Sequence, residues 1–224
     1  IIPILLVAKE TPITAEEQPT ASIGALLTGM WVSPVKHPDF ARTWVSGVLV
    51  TSGNALGTGL LLYYIAHELG FGLEGARGAF LPLILVYVVA TVLAALIVGA
   101  ISDRIRRRKI FVMWGALLQS FAALILVFAG TYEATFVAAA LLGAGYGAYL
   151  SVGQALATQV LPDAHHRGKD LGLMNVATQV PVALAPWLAA MLVVAFGSFS
   201  GLYMVAAVAC VFGAIIVALV ESVK

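Results

Sequence analysis

Six apolar runs, each long enough to cross a bilayer, leave this chain little choice of fold. A spanning helix needs roughly 20 mainly apolar residues to cross the hydrocarbon core. The runs are Ala41–Ala66, Ala79–Ser102, Ile110–Gly130, Ala134–Val160, Leu171–Phe196 and Phe199–Val220. Only 10% of the chain is charged, 61% is hydrophobic and the mean hydropathy is +1.01; a soluble domain carries about 25% charged residues. The expected fold is an all-α membrane protein, with a bundle of six transmembrane helices over residues 41–224 and a separate leading segment over residues 1–40.

That leading segment is of another character. Ile1–Val7 is apolar but too short to span, with no basic stretch and no A-x-A cleavage site, so it does not read as a signal peptide. It reads as the end of a preceding helix, and the chain as a portion of a longer protein. Lys9–Phe40 carries Lys9, Glu10, Glu16, Glu17 and four prolines, and reads as a polar linker. Within it Ala21–Val32 is mildly apolar, either an interfacial helix or a loop touching the headgroups. The lone Cys210 excludes an intrachain disulfide and belongs in the core or against lipid.

The charges add an orientation. If the linker lies on one side of the membrane, threading six spans puts Lys9, Lys36, Arg42, Arg104, Arg106, Arg107, Arg108, Lys109, Arg167, Lys169 and Lys224 on that same side and only Arg77 on the other. Cytoplasmic loops are enriched in Lys and Arg, so the linker, the Gly99–Lys109 turn, the Pro162–Asp170 loop and the C-terminus are expected in the cytoplasm. Glu68–Gly78, Thr131–Glu133 and Gly197–Ser198 are expected as outward loops.

Gly99-x-x-x-Asp103-Arg104-x-x-Arg107-Arg108-Lys109 resembles the signature G-x-x-x-D-R-x-G-R-[KR] of the major facilitator superfamily, with Arg106 in place of the internal Gly. In that family the signature joins the second and third helices of each six-helix half, and here it joins the second and third spans. Arg167-Gly168-Lys169-Asp170-Leu171-Gly172 is similar to the cytoplasmic loop before the family's penultimate helix. The resemblance implies two inverted three-helix repeats, the C-terminal half of a twelve-helix carrier, with the N-terminal six-helix half as its partner. It further implies alternating access around a small organic solute bound near the midplane. It makes Gly99, Asp103, Arg104, Arg107, Arg108 and Lys109 a candidate cytoplasmic gate; the plainer reading of the same turn is a topology anchor.

Candidate solute-binding residues come from polar and aromatic groups inside the spans. Thr51, Asn54 and Thr58 share one face of the first span, at i, i+3 and i+7, and Tyr63 and Tyr64 follow as an interfacial belt or a lid. Gly53 and Gly57 form a G-x-x-x-G pair suited to close packing. In the fourth span Gly143, Gly145 and Gly147 surround Tyr146, with Tyr149, Gln154 and Thr158 beyond. The residues there either line a cavity or glue helices together. Asn175 and Gln179, between the kink-prone Pro181 and Pro186 and the basic end, are secondary contacts at the cavity wall. Gln119 is expected to hydrogen-bond between helices, and the featureless sixth span to face lipid as a buttress. His67, Glu68, His165 and His166 read as ordinary loop residues.

No Asp, Glu, Lys, Arg or His falls at the centre of a span, so this chain offers no proton-coupling group at membrane depth. The available groups suit a neutral, hydroxyl-rich or amphipathic solute. No nucleophile–base pair, metal set, cofactor site or nucleic-acid surface is evident. The reading is a secondary transporter in the plasma membrane, a symporter or antiporter; the alternative is a non-transporting scaffold that borrows the fold.

Overall fold

The computed structural model describes Ser33 and residues 35–128, 130–161 and 167–221. The expectations for Ile1–Val7, Ala21–Val32, His165, His166 and Lys224 fall outside those residues. The described chain is helical throughout: α1 (Pro38–Gly59), α2 (Leu61–His67), α3 (Gly72–Ile105), α4 (Arg108–Phe128), α5 (Tyr132–Gln159), α6 (Arg167–Phe196) and α7 (Phe199–Ala218). The pair α1–α2 makes one span, so six helical stretches are long and apolar enough to cross a membrane.

The ends differ from the apolar runs for local reasons. Helix α1 starts at Pro38, whose fixed φ suits the first helical turn. It breaks at Leu60 (φ −117°, ψ 18°), directly after Gly57-Thr58-Gly59, where two glycines weaken the helix. Helix α3 begins seven residues before Ala79, at Gly72. The segment expected as an outward loop is thus partly helical, with Ala76 fully buried and Arg77 paired to Glu74 one turn away. Pro82, Pro181 and Pro186 all lie inside continuous helices.

The packing follows one rule twice. Helix α3 packs on α5 as α6 packs on α1; α4 packs on α5 as α7 packs on α1; and α4 and α7 pack on each other. Exchanging the first three spans for the last three leaves this pattern unchanged, as expected of a repeated three-helix unit. Three is an odd number of crossings, so the second set starts from the opposite side.

Glycines set how closely these helices approach. A methyl group on Gly143 or Gly147 would collide with the backbone of α3, at the carbonyl oxygens of Tyr87 and Thr91. One on Gly145 would meet Gly115 and Gln119 of α4. On α1, a methyl at Gly53 would strike Cys210 Sγ of α7, and one at Gly57 would press on Leu142 of α5. Helix α6 is held by a seam of mostly small residues, Met174, Ala177, Pro181, Ala185 and Ala189, at the i+3/i+4 spacing of one helix face.

The exposure of the spans is uneven. The most apolar window of α1–α2 is 56% buried, against 6% for α3 and 17% for α6. The first span is the hub, and α3 and α6 present apolar surface outward. Helix α7 corrects the expectation of a featureless buttress. Its outer face carries Met204, Val208, Phe212 and Ile215, but its inner face buries Leu202, Tyr203, Ala206, Cys210 and Val217 against α1 and α4.

Candidate functional site

Asn54 is the pivot of the polar interior. It sits mid-helix on α1 and is only 5% exposed. Its Oδ1 accepts a hydrogen bond from the Tyr87 hydroxyl of α3 at 3.2 Å, and its main-chain carbonyl accepts one from Thr58 Oγ1 at 3.0 Å. Tyr87 is steadied in turn by Thr91, whose hydroxyl donates to the Tyr87 carbonyl at 2.7 Å. An amide buried in apolar surroundings needs such partners, because an unmade hydrogen bond there costs about 1–3 kcal/mol.

Asn54, Thr58 and Tyr146 line a half-open depression of about 230 Å³, which they share with Val182, Ala185 and Pro186 of α6. Towards the basic end a second cavity, about 20 Å³, lies among Thr43, Ser46, Gly47, Tyr149, Gln154 and Thr178. That is room for about one water molecule. The Tyr146 and Tyr149 rings stack between the two, centroids 6.4 Å apart and planes 20° from parallel. Gly47 makes space for the Tyr149 hydroxyl, which would lie 3.0 Å from a methyl there.

The expected site residues therefore divide. Asn54, Thr58 and Tyr146 share one cavity; Tyr149 and Gln154 line the other. Thr51 is fully buried beside Tyr149. Asn175 and Gln179 lie one turn apart on the exposed side of α6, in neither cavity. Tyr63 is 47% exposed and stacks on His67. Tyr64 is neither belt nor lid. It is 2% exposed, donates to the Leu126 carbonyl at 3.2 Å, and meets Phe199 and Tyr203 edge-on at 5.9 and 5.2 Å. Gln119 also departs from expectation: its Nε2 donates to Gly115 of its own helix at 3.5 Å, because Gly145 brings α5 too close for the side chain to reach across.

Sequence reasoning missed Tyr87, and it named Asp170 within the Arg167–Gly172 loop without giving it a role of its own. Tyr87 and Thr91 are the only polar side chains between Ala79 and Ile101 and stand four residues apart, a signal that was present. Asp170 is 1% exposed and lies in the first turn of α6, with Lys169 Nζ 3.8 Å from its Oδ1. An apolar run starting at Leu171 leaves it outside by one residue.

At the basic turn the cations have separate tasks. Arg108 donates to Asp103 Oδ1 at 3.3 Å and to the Ala155 carbonyl, near the end of α5, at 3.0 Å. Lys109 Nζ donates to the carbonyls of Ala218 and Val220 at 3.3 and 2.7 Å. Arg42 reaches the Leu219 carbonyl at 2.6 Å and Asp39 Oδ1 at 2.9 Å. At α7, Lys109 and Arg42 thus satisfy carbonyls at the helix C-terminus, where the helix dipole is negative, while Arg108 adds a second side-chain donor to the Ala155 carbonyl, which also accepts from Thr158 Oγ1. Arg106 ends α3 in the left-handed conformation, φ 58°, with its N–H bonded to Ser102 O at 2.8 Å. That is the position where the family signature has Gly, the residue that adopts this conformation without strain.

Comparison with known proteins agrees with this architecture. A family model described as Major Facilitator Superfamily matches residues 4–224. The "Probable 4-methylmuconolactone transporter" of Cupriavidus pinatubonensis (strain JMP 134 / LMG 1197) is 35% identical over 97 residues, 42% of this chain and 22% of the relative. The "Inner membrane metabolite transport protein YgcS" of Escherichia coli (strain K12) is 39% identical over 93 residues, 42% of this chain and 20% of the relative. The matched stretch thus spans about a fifth of either relative's length.

Proposed function

The chain belongs to the Major Facilitator Superfamily, and on that premise we propose that it works as the C-terminal half of a secondary active transporter. It moves a small organic solute by alternating access, against an N-terminal six-helix half that meets the outward faces of α3 and α6. The observation that carries this reading is the cavity where Asn54, Thr58 and Tyr146 converge. An amide, a hydroxyl and a phenol gathered beside an open depression are costly at membrane depth unless polar groups meet them, and this supports a solute-facing wall over a scaffold. A neutral wall of this kind offers paired donors and acceptors and a ring to stack on. It suits a small neutral or amphipathic metabolite.

The excess of Lys and Arg at the basic end supports a cytoplasmic position for it, in the plasma membrane of the cell. There Asp103, 73% exposed in its side chain, exchanges its Arg108 contact for one on the facing half as the cavity opens and closes. Asn175 and Gln179, exposed on α6, meet the solute or the facing half when the carrier is assembled.

The test is uptake by the whole carrier in proteoliposomes. Asn54→Ala removes both the amide and the anchor of Tyr87, and uptake falls about tenfold, equivalent to the ~1.4 kcal/mol of one or two hydrogen bonds. Unchanged kinetics with intact expression would return the scaffold reading.

A further inference from the structure

Hydroxyl groups from three helices meet inside this chain, at the cavity of about 20 Å³ near its basic end. Thr43 and Ser46 lie three residues apart on α1 and share a face; Tyr149 comes from α5 and Thr178 from α6. Thr43, Ser46 and Tyr149 are buried, whereas Thr178 is half-buried and Gln154 is exposed. The mouth of the cavity is therefore at Gln154 and Thr178, and its depth is at Thr43 and Ser46.

These hydroxyls are unevenly paired. Ser46 Oγ donates to the Gly213 carbonyl at 2.8 Å, and Thr178 Oγ1 donates to the Asn175 carbonyl at 3.0 Å. Their protons are spent, and their lone pairs are left to accept. Thr43 differs. It is 8% exposed, and its Oγ1 is buried with no hydrogen-bond partner among the described residues. A buried hydroxyl left unpaired is destabilising, and buried polar groups that side chains do not reach are met by ordered water. The Tyr149 hydroxyl stands at the same wall, beside Gly47.

We propose that this cavity is a binding site for one ordered water molecule. The water accepts from the Thr43 and Tyr149 hydroxyls and donates to those of Ser46 and Thr178, which uses both of its protons and both of its lone pairs. The volume admits one water and no organic solute. No carboxylate lines the cavity, so a metal ion would find only neutral oxygens there. The water bridges α1, α5 and α6 and adds polar bonds to the seam of small residues that holds α6. The bridge lies within this chain's own helices, and it needs neither the facing half nor a solute.

The test combines stability with labelling in place, on the whole carrier in detergent. Thr43→Val keeps the shape of the side chain and removes its hydroxyl, and the sign of the effect decides. With water bound, the variant takes a partner from it and the thermal midpoint falls by about 2 °C. With the cavity dry, the variant removes an unpaired buried hydroxyl and the midpoint rises. X-ray radiolysis reads the site directly, because it turns a bound water into a hydroxyl radical beside the groups that hold it. Met174, which also lines the cavity, and Tyr149 are 6% and 9% exposed, yet both are oxidised in the native carrier. Tyr203, fully buried elsewhere, is not. Thr43→Val loses the label at Met174 and Tyr149. The proposal is overturned if Thr43→Val leaves the midpoint unchanged or raises it. It is overturned by the native carrier alone, with no variant needed, if Met174 and Tyr149 are labelled no more than Tyr203. It fails equally if sodium chloride in place of choline chloride raises the midpoint of the native carrier and not that of Thr43→Val, since the occupant is then a cation.

Discussion

Helix α5 has two faces built from one short stretch, Gly143-Ala-Gly-Tyr146-Gly-Ala-Tyr149, and they do opposite things. Gly143, Gly145 and Gly147 face neighbouring backbones and exist to let α3 and α4 come close. Tyr146 and Tyr149 face two cavities and keep α5 away from α6 and α1. Close approach on one side and enforced distance on the other follow from the same cause. In hydrocarbon little hydrophobic force holds helices together, so small residues gain dispersion contacts by letting backbones approach, while a bulky ring leaves space wherever no partner fills it.

The strongest way to break this division is to fill the glycine face. Gly147→Ala places a methyl against the Thr91 carbonyl oxygen, which is backbone and cannot rotate away. The cost is about 1–3 kcal/mol, read as a lower thermal midpoint in detergent. Gly99→Ala is the control, since its methyl would lie 3.5 Å from Ser151 Cβ, an ordinary contact. That variant stays within about 0.5 kcal/mol of the native chain. Equal losses for the two would refute the close-packing account.

Tyr64→Phe asks whether a tyrosine off the cavity behaves as structure. It deletes the hydrogen bond to Leu126 O and costs about 1 kcal/mol of stability with unchanged uptake. A selective change in solute affinity would instead restore Tyr64 to the lid. Arg106→Gly moves stability the other way. Relieving the left-handed conformation of a residue with a Cβ gains about 1 kcal/mol, seen as a raised midpoint. No gain would mean that the turn is held at no cost. The smallest stability effect is expected at Tyr146→Phe, close to zero because the half-buried ring remains. Its signature is weaker solute binding in the whole carrier; if stability falls while binding holds, Tyr146 belongs with the glue.

The number and rough extent of the spans were legible because each lies in contiguous residues, and 20 apolar residues in a row have one stable form in lipid. The basic turn was legible for a similar reason, being a local pattern with fixed spacing. The polar interior was legible only in outline. Asn54, Thr58 and Tyr146 could be singled out, as polar groups in apolar helices invite attention. Tyr64 stood next to Tyr63 in the chain and in expectation alike, yet 100° of helix turns one ring into the core and the other outward.

By itself, then, the sequence determined that residues 41–220 carry six apolar runs long enough to span a membrane, where each lies, and to which superfamily its basic turn points. Only the tertiary structure decided what each polar residue and each glycine does. The Tyr87 hydroxyl finds Asn54 across 33 residues of chain, and Gly143 meets α3 while Gly145 meets α4. A span is a property of consecutive residues and their solvent, whereas a partner depends on how helices rotate against one another, and that rotation is set by the packing of the whole bundle.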